Sequence, residues 1–153
     1  MDMEVDFLEK NLEDIIFENK DIIHMRGFPE IKGDLFRQFV NHNGKRLDLF
    51  SVDKSDENVR NVSIYELKKG KIDHYAYFQL VGYFFDFCVE NKKNNYGNFN
   101  LQLYLIGSEV DEHVLISASL SEFVHIYTYK YEYDGIRFYK MSSPWSEMKT
   151  KIL

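Results

Sequence analysis

Two short segments hold the residues best suited to chemistry. Asp48 sits in Lys45-Arg46-Leu47-Asp48-Leu49-Phe50, and Glu66 and Lys68 flank Leu67 in Ile64-Tyr65-Glu66-Leu67-Lys68-Lys69-Gly70. In an extended chain residues i and i+2 point to one face, so Glu66 and Lys68 emerge side by side. Asp48 belongs to the preceding extended segment, where cross-strand pairing brings its carboxylate towards Glu66. Two carboxylates and the Leu67 carbonyl make a hard-oxygen set of the kind that holds Mg²⁺ or Mn²⁺. A lysine beside such a metal can hold or help deprotonate an attacking water, and the metal stabilises charge on a phosphate. These are the parts that phosphodiester hydrolysis requires. The blander alternative makes all three solvated charges on an open sheet face, with Glu66 and Lys68 a surface ion pair of little energetic value. The flanking residues Leu47, Leu49, Phe50, Ile64 and Tyr65 argue against it, because charges inside apolar runs are desolvated and need a partner or a metal.

The elements that must position these residues can be read from periodicity. Residues 4–19 place Phe7, Leu8, Leu12, Ile15 and Ile16 at helical spacing with charges opposite, an amphipathic helix. A connector punctuated by Gly27, Pro29 and Gly33 follows. Extended segments at 35–42 and 45–52 are joined by Asn43-Gly44, a strong hairpin signal. The polar stretch 51–61 reads as a surface loop and 62–69 as a strand. Residues 71–90 read as a second helix, with Tyr75, Phe78, Gln79, Val81, Gly82 and Phe85 at turn spacing; 91–98 form a loop. Residues 101–107 are a mostly apolar, buried strand. The tail gives a hairpin, 122–131 and 136–140, turned on Asp134-Gly135. Ser143-Pro144-Trp145 reads as a turn with a packed indole. The expected architecture is α/β: a mixed sheet flanked by helices, one domain over residues 1–153.

Composition bounds the function. With 153 residues, 44% of them hydrophobic, the chain is long enough for one substantial core. There is no run of about 18 apolar residues to span a bilayer. The start is acidic (Asp2, Glu4, Asp6) where an export signal is basic, so a cytoplasmic protein is expected. The single cysteine, Cys88, reads as a buried core thiol. The net charge of −6 counts against a nucleic-acid partner, yet steering depends on the local field. Acidic residues crowd the first helix, whereas Arg37, Lys45, Arg46, Lys54, Arg60, Lys68, Lys69 and Lys71 gather around the middle strands. His24, His42, His74, His113 and His125 show no zinc-ligand spacing.

The segment Glu9 to Tyr83 resembles the catalytic domain of NucS/EndoMS-type endonucleases, within the PD-(D/E)XK superfamily. A first-helix Glu and an LE-x-x-(L/I) turn are matched by Glu9, Leu12, Glu13 and Ile16. R-(I/L)-D-L-(L/F) is matched by residues Arg46 to Phe50, (V/I)-x-E-L-K-(R/K)-G by Ile64 to Gly70, and Q-L-x-x-Y by Gln79, Leu80 and Tyr83. The resemblance implies a restriction-endonuclease-like sheet and Mg²⁺- or Mn²⁺-dependent cleavage of nucleic acid, DNA before RNA. It implies Asp48, Glu66 and the Leu67 carbonyl as metal ligands, Lys68 as the residue acting on water, Glu9 completing or orienting the site, and Gln79 orienting Lys68 or a phosphate. Lys45, Arg46, Lys69 and Lys71 form the expected basic strip for nucleic acid. Glu13 is expected on a solvated helix face and Tyr83 in packing.

Two departures stand out. Leu47 replaces the namesake proline, and Gly82 stands where relatives commonly carry Arg, which removes a phosphate contact. Such relatives also carry a separate domain for dimerisation and DNA binding. Specificity in this chain is therefore expected from loops, a homodimer or a protein partner. A different class of function is a catalytically inactive module that kept the nuclease fold for binding, or a subunit of a larger defence or mobile-element complex.

Overall fold

Asn43-Gly44 turns the chain where the sequence places the turn. The computed structural model describes residues 9–41, 43–94 and 97–143, with side chains from residue 12 onward. Pro144 and Trp145, expected in a turn, lie outside the described residues, as does His42. β1 (Asp34–Val40) and β2 (Arg46–Asp53) pair antiparallel. The Asn41 Oδ1 accepts from the N–H groups of Asn43 at 3.0 Å and Lys45 at 2.9 Å and so ties the turn together. β2 pairs antiparallel with β3 (Arg60–Leu67). The intervening loop is shorter than polarity suggests, since 51–53 and 60–61 are strand. Asp53 and Asp56 each capture an N–H two residues on, from Ser55 and Asn58, which closes the loop as successive Asx-turns.

β3 runs parallel to β5 (Phe99–Gly107), and β5 parallel to β7 (Val124–Glu132). The hairpin on Asp134-Gly135 then adds β8 (Gly135–Met141), giving the sheet order β1-β2-β3-β5-β7-β8. Parallel neighbours require crossovers. These are α2 (His74–Asn94) and α3 (Glu112–Ser119). Lys71 and Ile72, expected in the second helix, instead form β4 (Lys71–Ile72), parallel to β6 (Glu109–Val110). The helix starts only after Asp73, whose Oδ1 accepts the Ala76 N–H at 3.0 Å, as a helix cap does. It then runs past Glu90 into the stretch expected as a loop. α3, capped by Asp111 accepting the His113 N–H, is too short to show a periodic stripe in the sequence.

The sheet is covered on both faces, so its central strands are apolar on both. On one face Ile72, Ala76, Leu80 and Tyr83 of β4 and α2, with Val114 and Ala118 of α3, pack on Val62, Ile64, Leu101, Leu103, Leu105, Val124 and Ile126. On the other, Leu12 and Ile16 of α1 (Glu9–Glu18), with Ile23 and Phe28, pack on Leu49, Tyr65, Leu67, Ile106, Tyr127 and Phe138. Gly27, at φ 94, ends a 3₁₀ turn (Ile23–Arg26) so close to β8 that a Cβ there would lie 2.1 Å from the Phe138 carbonyl oxygen. The residues that mark α2 in the sequence do not face the core. Tyr75, Phe78, Val81 and Phe85 point outward, and Ala76, Leu80, Tyr83 and Asp86 are buried instead. Cys88 is half-buried, and burial pushes its thiol up from the ordinary value. Among the described residues no helix is long and apolar enough to cross a membrane.

Two substitutions test this packing by urea denaturation. Leu80→Ala, at a fully buried position, should lower stability by about 2–5 kcal/mol. Gly27→Ala should be strongly destabilising as well, because the added methyl has no space and the φ is left-handed.

Candidate active site

The site forms where β2 and β3 stop pairing. Their ladder runs from Asp53↔Asn61 to Leu49↔Tyr65 and ends there. The same register carried one step further sets Asp48 opposite Glu66. Instead of a continued ladder, the Leu67 N–H is taken by the Asp48 carboxylate, with Oδ2 accepting at 2.9 Å. β1 is also interrupted at this level. It pairs with β2 at Arg37↔Leu49 and Phe39↔Leu47, but the residue between, Gln38, has φ 54, a conformation that non-glycine residues rarely adopt. Leu47 joins the core on the α2 side while Leu49 joins the α1 side, so the two-residue alternation slips at Asp48. A polar side chain in a strand fork is the result.

Glu66 lies within β3, 4% exposed, on the face that carries Val62 and Ile64. Lys68 follows beyond the strand end, its own N–H donating to the Ile106 carbonyl at 2.7 Å. Its ammonium lies 3.8 Å from Glu66 Oε1 and 3.5 Å from Gln79 Oε1. Gln79 reaches in from α2, and its Nε2 donates to the Tyr83 hydroxyl at 2.8 Å. That hydroxyl donates to the Arg46 carbonyl at 2.8 Å. Because the Gln79 amide nitrogen is engaged by Tyr83, its oxygen is the end left towards Lys68. Burial pushes the Tyr83 phenol up to about 12, and the negative charges of Glu66 and Asp48 add to the shift. Both carboxylates therefore act on one phenol, which stays neutral. Tyr83, expected only in packing, is a hydrogen-bonded bridge between α2 and β2.

The Leu67 carbonyl is on the same strand edge as its N–H, since both groups of an extended residue point to one neighbour. Asp48, Glu66 and that carbonyl thus supply oxygen donors of the kind Mg²⁺ or Mn²⁺ takes. Among the described residues no group of three or more His, Cys, Asp or Glu gathers. A cation here would rest on two carboxylates, the carbonyl and waters. The Glu9 side chain, the third expected acid, lies outside the described residues.

The basic strip is divided. Arg46, Lys69 and Lys71 are exposed, and Arg46 borders the cleft beside Gln79 and Tyr83. Lys45 is committed elsewhere: its ammonium is 2.9 Å from Asp86 Oδ2, and Asn41 and Asn43 donate to the same carboxylate at 3.2 and 2.9 Å. Lys45, Arg46, Phe78, Gln79, Gly82 and Tyr83 line a cleft of about 320 Å³ beside the strand fork. Glu13 also differs from expectation. It is 3% exposed, pairs with Arg37 at 2.9 Å and accepts from the Gln38 side chain; Arg37 also pairs with Asp14. Glu13 and Gln38 thereby hold β1 in its irregular turn opposite Asp48. Position 13 borders the apolar stripe of Leu12 and Ile16, the one trace of this burial in the sequence.

No protein-family model matches this sequence, and no curated protein does. The fold does match solved structures. A repair endonuclease from Pyrococcus abyssi aligns at a TM-score of 0.55 and 25% identity, over 82% of this chain and 47% of that one. The structure of an EndoMS–dsDNA complex aligns at a TM-score of 0.55 and 21% identity, over 84% of this chain and 48% of that one. The neighbours are endonucleases of the type that the sequence motifs resemble, and the mixed α/β sheet agrees with the expected architecture. The chain spans about half the length of each.

The Asp86 knot gives a pH-dependent test. Burial pushes its carboxyl up, but hydrogen bonds from Lys45 and Asn43 outweigh this and hold it below the ordinary value. A depressed folded-state value means that the stabilisation is complete above the ordinary carboxylate range and is lost as pH falls through the folded value. Thermal melts of wild type and Asp86→Asn should therefore differ most near neutral pH and converge in acid.

Proposed function

We propose that this chain is a metal-dependent nuclease domain hydrolysing phosphodiester bonds in DNA. The observation that carries the reading is the strand fork, where Asp48, Glu66 and Lys68 converge with the Leu67 backbone and Gln79. Asp48, Glu66 and the Leu67 carbonyl would hold Mg²⁺ or Mn²⁺. When bound, such a cation lowers the pKa of a water and offsets charge building on the phosphate. The hydrogen bond from Leu67 N–H fixes the Asp48 carboxylate in the fork. Lys68 holds the attacking water and meets a phosphate oxygen, while Glu66 beside it keeps its charge compensated. Gln79 positions Lys68, and Tyr83 sets which end of the Gln79 amide faces it. Arg46, Lys69 and Lys71 take flanking phosphates. DNA is favoured over RNA because a structural neighbour was solved with dsDNA.

The alternative, a nuclease-fold module that binds without cutting, is favoured by the commitment of Lys45 to Asp86 and by the net charge of −6. Cleavage assays with Mg²⁺ and Mn²⁺ on single- and double-stranded DNA and on RNA separate the two. Wild type should cut DNA, and Lys68→Ala should lose about 10²–10⁴ in rate while Mn²⁺ still raises its melting temperature. Glu66→Gln should lose both properties, and Asp48→Asn should lose the Mn²⁺ response. Metal stabilisation without cleavage of any substrate would favour the binding module.

Reversing Lys69 and Lys71 to Glu should weaken oligonucleotide binding for all sequences alike and flatten its salt dependence, read by fluorescence anisotropy. An unchanged salt slope would remove these two lysines from the interface.

A further inference from the structure

The outward face of α2 is more apolar than solvent exposure accounts for. Tyr75, Phe78 and Phe85 are 72%, 64% and 66% exposed, and Val89 is exposed beside them. Between residues 75 and 89 the only charged side chain, Asp86, is buried and paired with Lys45. About four helical turns therefore offer solvent no charge. Isolated exposed apolar residues are ordinary, but a contiguous patch of several hundred Å² marks an interaction surface.

The spacing says what covers it. Tyr75, Phe78, Gly82, Phe85 and Val89 are separated by three, four, three and four residues, the repeat of a helix seam that faces another helix. The seam is also nearly symmetric about Gly82. Two copies of α2 laid antiparallel across a two-fold axis at Gly82 set Phe78 of each against Phe85 of the other, and Tyr75 against Val89. A self-complementary patch of this kind is what a closed two-fold interface requires, with residue i meeting j and j meeting i. Gly82 adds no side chain at the crossing, and the space beside it is shared with Lys45. Lys45 flanks this point, with its ammonium 3.5 Å from where a Gly82 Cβ would lie, but its charge is matched by Asp86, so the axis does not bring two bare cations together.

We propose that α2 is a homodimer interface in which two copies of this chain pair antiparallel through Tyr75, Phe78, Gly82, Phe85 and Val89. The area is sufficient. With aromatic side chains at about 150–250 Å² each, the exposed portions of the three rings and of Val89 come to roughly 500 Å² per copy. Doubled, that reaches the threshold of about 1,000 Å² for a specific interface, at the weaker end of the range. Gln79 and Tyr83 lie to the side of the seam, so the strand fork is left at the edge of the contact. The interface holds whether or not the fork cleaves nucleic acid.

The register makes the test specific. By sedimentation velocity over about 1–100 µM, wild type should shift from monomer to dimer, the micromolar range expected of a small interface. Phe78→Lys and Phe85→Glu should each be monomeric, because a charge would be buried against a phenyl ring twice per dimer. Mixed in equal amounts they should dimerise again. The lysine introduced in one copy then meets the glutamate introduced in the other, and the remaining pair is Phe85 against Phe78. Circular dichroism checks that each variant is folded, and Val89→Asp supplies a second disruption should either fail. A wild type that stays monomeric across the range overturns the proposal. So do single variants that remain dimeric, or folded variants whose mixture stays monomeric. If the monomeric wild type loses oligonucleotide affinity on Phe78→Ala, the face serves base stacking and the dimer reading is likewise overturned.

Discussion

A single hydrogen bond, from the Leu67 N–H to the Asp48 carboxylate, marks the constraint on which the site depends. Backbone donors in a sheet must be satisfied, and a side chain can take over only where the partner strand has left. Once the β2–β3 ladder ends at Leu49↔Tyr65, two strands that would have sealed the sheet open into a fork. The fork has room for carboxylates inside an otherwise apolar α/β core. It also leaves the Leu67 carbonyl on the edge where the Asp48 side chain, rather than a continued ladder, meets β3. The irregular Gln38, held by Glu13, lets β1 follow β2 past the break without a change of register. A strand conformation that costs energy is retained beside the candidate site, as is common at functional sites.

α2 serves this arrangement in three directions at once. Its core face, with Ala76, Leu80 and Tyr83, provides the crossover that parallel β3 and β5 need. One flank reaches the β1–β2 hairpin and the fork: Gln79 towards Lys68, Tyr83 to the Arg46 carbonyl, Asp86 to the hairpin turn. These contacts fix the distance between helix and fork, so the lysine is positioned by a rigid element rather than by a loop. The third face is the apolar seam. A helix that is apolar on nearly all sides is normally buried, and its position at the surface of one copy is the tension that pairing resolves.

The structural neighbours are about twice as long as this chain. The exposed cations at the fork are few, because Lys45 is tied to Asp86 and Arg37 to Glu13 and Asp14. A two-fold pairing through α2 would double the basic surface on which the proposed function draws.

The sequence by itself determined much of this protein. Asn43-Gly44 and Asp134-Gly135 marked two hairpins, because each supplies a glycine for the positive φ that ends the turn. Alternation around Glu66 and Lys68 placed both on one strand face, and the motif series pointed to the nuclease-like α/β fold. Those signals are local: each depends on residues a few positions apart. What tertiary structure decided is non-local. Whether Glu13 meets solvent or Arg37, and whether Lys45 meets phosphate or Asp86, depends on segments 24 and 41 residues away in the chain. Which stripe of α2 faces the core was equally undetermined, since Tyr75, Phe78 and Phe85 carry the same helical period as Ala76, Leu80 and Tyr83. Periodicity gives the spacing of a face but not its direction. Only the sheet, by accepting small and branched side chains above β3 and β5, chose the face that would be buried.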